Sequence, residues 1–424
     1  MYNRHYSILS KINTGWQLYK MSELANIKAG GTPSTFVEQF WVDGRIPWMN
    51  SGDLNKRFVF DVNGRITEQG QKNSSTFLVP KHSVLVGLAG QGKTRGTVAI
   101  NEIDLCINQS IAAIMPKTSD VYYLFLFYNL DSRYGELRKI SAGDGGRGGL
   151  NLSIIGNIDV LLPTFGEQKE IATILSTWDR AIERVQRLIE AKQRQKKGLM
   201  QGLLTGRLRF PEFGESINTS DAFPTDWEVK KLKQVFSQID RPLGSRIPES
   251  VLSISAKIGF VDQKTKFGKV VAGKSLEKYI LLQRGEFAYN RGNSNAYPQG
   301  CIYMLTEYDE GAIPNVYYAF RAKSGNIFPQ FYQYYFESGL LNPQLKMFIS
   351  SSARGDGLFN ISSKDFFGIK IVVPPFEEQK KIARVLGGMD EQIALLKKYL
   401  VKLKKQKNGL MQKLLTGEIR VKVD

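Results

Sequence analysis

Gly87-Leu88-Ala89-Gly90-Gln91-Gly92-Lys93-Thr94 fits G-x-x-x-x-G-K-[ST], a spacing in which backbone amides cradle phosphates and a lysine reaches the outer ones. An apolar run, Val84-Leu85-Val86, precedes it, as the strand before such a loop should. The chemistry then needs a helix, because its N-terminal amides and dipole hold the phosphates. Arg95-Gly96-Thr97-Val98-Ala99-Ile100 favours a turn and a second strand instead. No apolar strand ending in a magnesium-holding aspartate is evident downstream. A basic β-turn that meets a phosphate backbone accounts for the same glycines and cations more economically.

Other chemistries find less support. An adenine-methylating enzyme would carry Asn/Asp-Pro-Pro-Tyr/Phe, and Asn342-Pro343-Gln344-Leu345 lacks the second proline and the aromatic. Two isolated histidines, His5 and His82, make a poor basis for a Ser/His/Asp arrangement. Cys106 and Cys301 belong to no ligand-spacing motif, so neither a metal site nor a disulfide framework is expected. The chain reads as non-catalytic. Its remaining chemistry lies in cations set among Gly, Asn and Ser: Lys93, Arg95, Arg147, Arg291 with Asn293 and Asn295, and Arg354. Such residues bind phosphates and read base edges.

The elements that must position these loops announce themselves by repetition. Phe165–Gly206 recurs at Phe376–Gly417, 211 residues on and without a gap. Phe-x-Glu-Gln-Lys-x-Ile-Ala opens both copies, and Gly-Leu-Met-Gln-x-Leu-Leu-Thr-Gly closes both. Between these ends the apolar positions step by four and three: Ile171, Leu175, Trp178, Ile182, Val185 and Ile189. The second copy repeats them at Ile382, Leu386, Met389, Ile393, Leu396 and Leu400. This heptad seam predicts two long helices packed by knobs into holes, each about 50 Å long. Lys196 and Lys407 fall on the seam, where a polar residue sets register. The other helix cations, such as Lys192 and Lys402, read as solvated faces.

Trp16 and Trp227 are also 211 apart, so the repeat includes the start of a globule before each helix. The predicted organisation is a globule over 1–163, a long helix over 164–210, a second globule over 211–374 and a second long helix over 375–424. Each globule reads as mixed α/β, with short strands such as Ser83–Leu88, Thr97–Ile100, Val251–Ile258 and Glu286–Asn290. Each also has an aromatic helix candidate, Val121–Asn129 and Phe328–Phe336. Gly143–Gly149 and Ser350–Gly357 read as loops, each with one arginine.

The formal net charge of +18 points to a polyanionic partner, nucleic acid before membrane. Met1–Thr14 lacks the apolar core of a signal peptide, and no apolar run reaches membrane-span length. A cytoplasmic protein is expected.

In this order, these motifs resemble the specificity subunit of type I restriction-modification systems over nearly the full length. The resemblance is carried by Gly30-Gly31-Thr32-Pro33-Ser34-Thr35, Ile46-Pro47-Trp48 with Ser51-Gly52-Asp53-Leu54, Asn108-Gln109-Ser110, and both sets of helix ends. It implies two target-recognition domains separated by two long antiparallel coiled-coil helices, with each domain reading one half of a bipartite target on double-stranded DNA. It also implies that the helices dock two methyltransferase subunits, and motor-nuclease subunits when these join. The paired Gln168/Gln379 and Leu204/Leu415 then mark two equivalent partner-binding surfaces. No cofactor is expected on this chain. S-adenosylmethionine, ATP and magnesium belong to the partner subunits.

Geometry adds an independent argument. Two similar domains reading opposite strands need an approximate two-fold axis, which in a tandem repeat makes the long helices antiparallel. The helix pair would then act as a ruler, holding half-sites about 34 Å apart. Because the globules differ in sequence, the target should be asymmetric. The competing readings are a basic coiled-coil scaffold that binds DNA without sequence preference, and a phosphate-loop or nuclease enzyme.

Overall fold

The computed structural model describes residues 15–90, 92–141, 149–217, 223–255, 258–268, 273–292, 297–348 and 361–423. The chain packs as two units, Met1–Gln186 with Lys398–Asp424, and Arg187–Lys397.

In the first unit, β1 (Gln17–Lys20) leads through one helical turn, Met21–Leu24, into β2 (Ala25–Ala29). The main sheet adds β3 (Val84–Gly87), β4 (Val98–Asn101) and β5 (Ile111–Pro116), in the order β2-β5-β3-β4, and a short strand Phe58–Val59 extends it beyond β4. β3 is buried along its whole length, which explains its unbroken apolar run. Alternate residues serve opposite faces. Val84, Val86, Val98 and Ile100 pack with Phe125, Leu126 and Phe127 of helix α1 (Tyr123–Ser132), while Leu85, Ala99 and Ala113 pack with Met49 and Leu54. β6 (Asp159–Leu162) returns antiparallel to β1 and leads into helix α2 (Phe165–Leu203).

The second unit repeats this plan. β7 (Glu228–Lys231) leads through the turn Leu232–Val235 into β8 (Phe236–Gln238). The sheet adds β9 (Phe287–Asn290), β10 (Cys301–Met304) and β11 (Tyr318–Ala322), in the order β8-β11-β9-β10. Helix α3 (Pro329–Glu337) packs Phe331, Tyr332 and Phe336 against Phe236, Phe287 and Phe320. β12 (Lys370–Val373) pairs antiparallel with β7 and precedes helix α4 (Phe376–Leu414). The two sheets therefore have the same strand order, with β8, β11, β9 and β10 standing for β2, β5, β3 and β4.

Each long helix has 39 residues, about 58 Å, and contributes to both units. Their repeated ends have a physical cause. Gly206 and Gly417 adopt φ +73° and +72°, the left-handed stop for which glycine is favoured. Along the seam Ile171, Leu175, Ile182, Ile189, Ile382, Leu386, Met389 and Ile393 are buried, and Trp178, Val185, Leu396 and Leu400 are half-buried.

In the first unit Glu167 of α2 meets Arg420 just past α4, and Asp179 meets Lys407. As one number rises the other falls, so the helix segments run antiparallel. In the second unit Glu378 meets Arg209 and Asp390 meets Lys196, again antiparallel.

Candidate nucleic-acid interface

The sheet registers decide where the basic loops emerge. In the first unit Ala29, at the end of β2, faces Ala112, and Gly87, at the end of β3, faces Ile111. The segment after β2, the β3–β4 hairpin loop and the turn before β5 thus leave one edge of the sheet. Three short sequence motifs converge there. The amide of Gly31 donates to the Ile107 carbonyl at 2.9 Å, and that of Leu88 to Ser110 at 2.8 Å. The Trp48 indole donates to Gly31 at 3.0 Å, and the Thr32 hydroxyl bonds to Gln109.

The hairpin loop accounts for the phosphate-loop look-alike. No helix follows Thr94; a turn at Arg95-Gly96 leads into β4. Gly87 is demanded by the hairpin neck, where a Cβ would lie 2.2 Å from the Thr94 carbonyl oxygen. Helix Tyr134–Ile140 braces the loop. The Tyr134 hydroxyl donates to the Lys93 carbonyl at 3.0 Å and the Arg138 guanidinium to the Gly92 carbonyl at 2.6 Å. Lys93 is exposed and Arg95 half-buried.

The second unit presents the corresponding edge. Tyr289, near the end of β9, faces Tyr318 at the start of β11, and Asn290 faces Cys301. The β9–β10 connection, which carries Arg291, is therefore the counterpart of the Lys93 hairpin. Arg291, a candidate for DNA contact by its residue type, is half-buried and also serves as a strut within its unit. Its guanidinium lies over the Tyr318 ring at 4.7 Å and donates to the carbonyls of Val316 and Ile361 and to the Tyr318 hydroxyl. Asn293, Asn295, Arg147 and Arg354 lie outside the described residues. After Arg147 and after Arg354 the described chain resumes at the same edges. Leu150 donates to the Leu88 carbonyl at 3.0 Å, and Ile361, 211 residues later, accepts from Tyr318 at 2.7 Å.

Gln168 and Gln379 are corrected by the structure. Neither is accessible to a partner, since both are fully buried. Gln168 accepts from the Tyr122 amide at 2.8 Å and donates to the carbonyls of Asp120 and Pro163, both at 2.9 Å. Gln379 makes the same three bonds with Phe328, Asn326 and Pro374. Each glutamine ties the start of a long helix to the entrance of the aromatic helix of its own unit. Leu204 and Leu415 are core residues, 0% and 5% exposed. Gln168→Ala should orphan buried backbone groups and cost about 1–3 kcal/mol in urea unfolding, and Gln379→Ala should match it.

Beyond the seam lysines, three charged residues in each copy form ion pairs and are identical at a spacing of 211: Glu167/Glu378, Asp179/Asp390 and Arg209/Arg420. Glu167, 2% exposed at its side chain, accepts two bonds from Arg420 at 2.8 Å and one from the Trp16 indole at 3.0 Å. Burial pushes its carboxyl up, but the bonds from Arg420, Val421 and Trp16 outweigh this and hold it below the ordinary 4.5. A depressed carboxyl stabilises fully above its unfolded value, and this contribution drains away as pH falls through the lower folded value. Glu378 repeats the arrangement with Arg209 and Trp227, and Asp226 adds a second carboxylate to Arg209. On the seam Lys407 meets Asp179 at 2.5 Å and lies over the Tyr128 ring, whose hydroxyl donates to Asp179 at 2.8 Å. Lys196 meets Asp390 at 2.8 Å and lies over Tyr334, which donates to Asp390 at 2.9 Å. The seam lysines are thus paired inside their units and fix which helix residues meet.

Cys106 and Cys301 are free and buried, and burial pushes the Cys301 thiol up to about 11. Among the described residues no cluster of His, Cys, Asp and Glu could hold a metal, and no helix is long and apolar enough to cross a membrane.

Each unit thus has a mixed α/β sheet with basic residues at one edge, and two long helices contribute to both units. The family model for the type I restriction modification DNA specificity domain matches twice, over residues 13–193 and 224–405, and the chain belongs to that family. It is similar to the specificity subunit of the type I restriction enzyme MjaIX of Methanocaldococcus jannaschii, with 27% identity over 97% of this chain and 95% of that protein. Its fold is similar to the S subunit of the type I restriction-modification system of M. genitalium, with a TM-score of 0.54, 17% identity, and coverage of 95% of this chain and 97% of that one. The HsdS subunit from Thermoanaerobacter tengcongensis gives 0.51 and 16%, covering 96% and 98%. The chain is a type I specificity subunit, without catalysis of its own, whose partners are DNA and the other subunits of the complex.

Proposed function

We propose that each unit reads one half of a bipartite, asymmetric DNA sequence through the loops at its sheet edge. The observation that carries this reading is the repetition of one four-strand order in both sheets, with different loops on the corresponding edge. Shared scaffolding supplies equivalent positioning, and differing loops supply two different sets of contacts. Two equivalent scaffolds also favour two methyltransferase copies per chain. Their docking surface belongs to exposed positions, since Gln168, Gln379, Leu204 and Leu415 are internal. S-adenosylmethionine, ATP and magnesium would be bound by those partners and by motor-nuclease subunits, in the cytoplasm.

Co-expression with the neighbouring methyltransferase and genome-wide mapping of methylated adenines tests the reading. A gapped motif with two unlike halves is expected. A single uninterrupted motif, or methylation without sequence preference, would refute it. For the exposed Lys93, substitution by alanine should weaken binding to all duplexes alike and lower the salt slope by about one. An effect confined to one base position would make Lys93 a base reader instead.

A further inference from the structure

The two most exposed large apolar side chains among the described residues are Phe36, at 98%, and Ile247, at 96%. Single exposed apolar residues are ordinary on protein surfaces. Their placement is not. They stand 211 residues apart, the spacing of Trp16 and Trp227, and the count runs without a gap through Ala25 and Phe236, which begin β2 and β8. Each follows a serine by two positions, Ser34 and Ser245, in a segment whose other residues have diverged. Each lies on a segment that leaves β2 or β8 at the edge carrying the Lys93 hairpin or the Arg291 connection.

Both tips rest on anchored bases. The Ser34 carbonyl accepts from the Val37 amide at 3.3 Å and from the Trp41 indole at 3.0 Å, and Trp41 packs edge-on against Trp48. In the other segment Leu243 is 2% exposed and bonds to Tyr279 at 2.7 Å, while the Arg246 amide closes a turn on Leu243. Thus large apolar groups are presented in water from braced segments, twice, at the repeat spacing. Exposed cations, Lys93 on the hairpin of the first edge and Arg246 next to Ile247 in sequence, favour a polyanion over an apolar protein surface.

We propose that Phe36 and Ile247 are apolar wedges, one in each half-site, that enter the duplex and part a base step. Phe and Ile are side-chain types that unstack DNA in this way, and the surrounding cations would hold the phosphates on either side. The proposal rests on the DNA-reading role of the sheet edges and adds the mode of contact.

The test uses the full chain assembled with its methyltransferase subunits and duplexes of the mapped target, with 2-aminopurine placed at successive steps. With the wild-type complex, fluorescence should rise at one step in each half-site as the probe unstacks. Phe36→Ala should abolish the rise in one half-site and Ile247→Ala in the other. Each should weaken target binding about tenfold or more, with an unchanged salt slope because no charge is lost. Neither should shift the unfolding temperature, since almost no protein packs on either side chain. Wild-type fluorescence and affinity in both variants would overturn the wedges and leave the DNA-reading role intact. Loss of affinity without any unstacked step would also overturn them. Loss of methyltransferase copies in native mass spectrometry would assign the tips to a protein partner instead. A wild-type complex with no preference for its mapped target would sink the DNA-reading role, and the wedges with it.

Discussion

Arg209→Ala should cost the second unit about 3–5 kcal/mol, a large share of a typical domain's 5–15 kcal/mol. Arg209 is 4% exposed at its side chain and bonds Glu378, which is fully buried, through Nε and Nη2 at 2.9 and 2.7 Å. Removing the guanidinium leaves that carboxylate to the Trp227 indole, which donates at 2.9 Å, in a site closed to water. The hydrogen bonds that Arg209 donates to Glu378 are also the main reason that the Arg209 pKa is raised. The counterpart change, Arg420→Ala, should cost less, about 1–3 kcal/mol. Arg420 is 45% exposed, and Glu167 keeps the Trp16 indole and the Val421 amide. Urea unfolding with hydrogen exchange resolved by unit would measure both. Equal and small losses would show that these networks are not structural.

A chain ending at residue 217 should dimerise. The first unit is completed by Met411, Leu414 and Leu415, which pack on Ile171, Ala172 and Leu175, and by Lys407 and Arg420. Every one of these completing residues has its repeat counterpart in the first half of the chain, at Met200, Leu203, Leu204, Lys196 and Arg209. In the second unit those counterparts pack on Ile382, Ala383 and Leu386 in the same way. Two copies of residues 1–217 can therefore complete each other through one self-complementary contact, in which each copy offers both sets. Sedimentation at micromolar concentration should show a dimer. Asp179→Lys should dissociate it, because a like charge would then face Lys196 of the second copy, and adding Lys196→Asp should restore it. A folded monomer, or no rescue by the double change, would contradict this view of the seam.

Much of this architecture was legible in the chain because helix periodicity and end motifs are local signals. The seam positions, the aromatic helices and the strand either side of Lys93 follow from spacing and residue type alone. Burial of Gln168 and Gln379 was not legible, since a glutamine beside a helix start looks equally apt for a partner or for its own chain. Its acceptors, the carbonyls of Asp120 and Asn326, are distant in sequence. The strut role of Arg291 was hidden for the same reason, because the carbonyls of Val316 and Ile361 reach it only through the sheet. The match between Phe36 and Ile247, or Leu150 and Ile361, was hidden by divergence of the intervening residues. Strand order, not identity, reveals it. A further signal lies in identical charges at the repeat spacing, Glu167/Glu378 with Arg209/Arg420, and Asp179/Asp390 opposite the seam lysines Lys196/Lys407, arranged to neutralise each other.

The central claim is that each sheet edge reads its own half of the target. It is tested most directly by replacing residues 88–95 with a glycine-serine loop of equal length, which keeps the Gly87 neck and the strands, and mapping methylated adenines in cells that carry the variant with its methyltransferase. One half of the motif should become degenerate while the other half is unchanged. Loss of specificity in both halves together, or a motif identical to the wild type, would contradict the account.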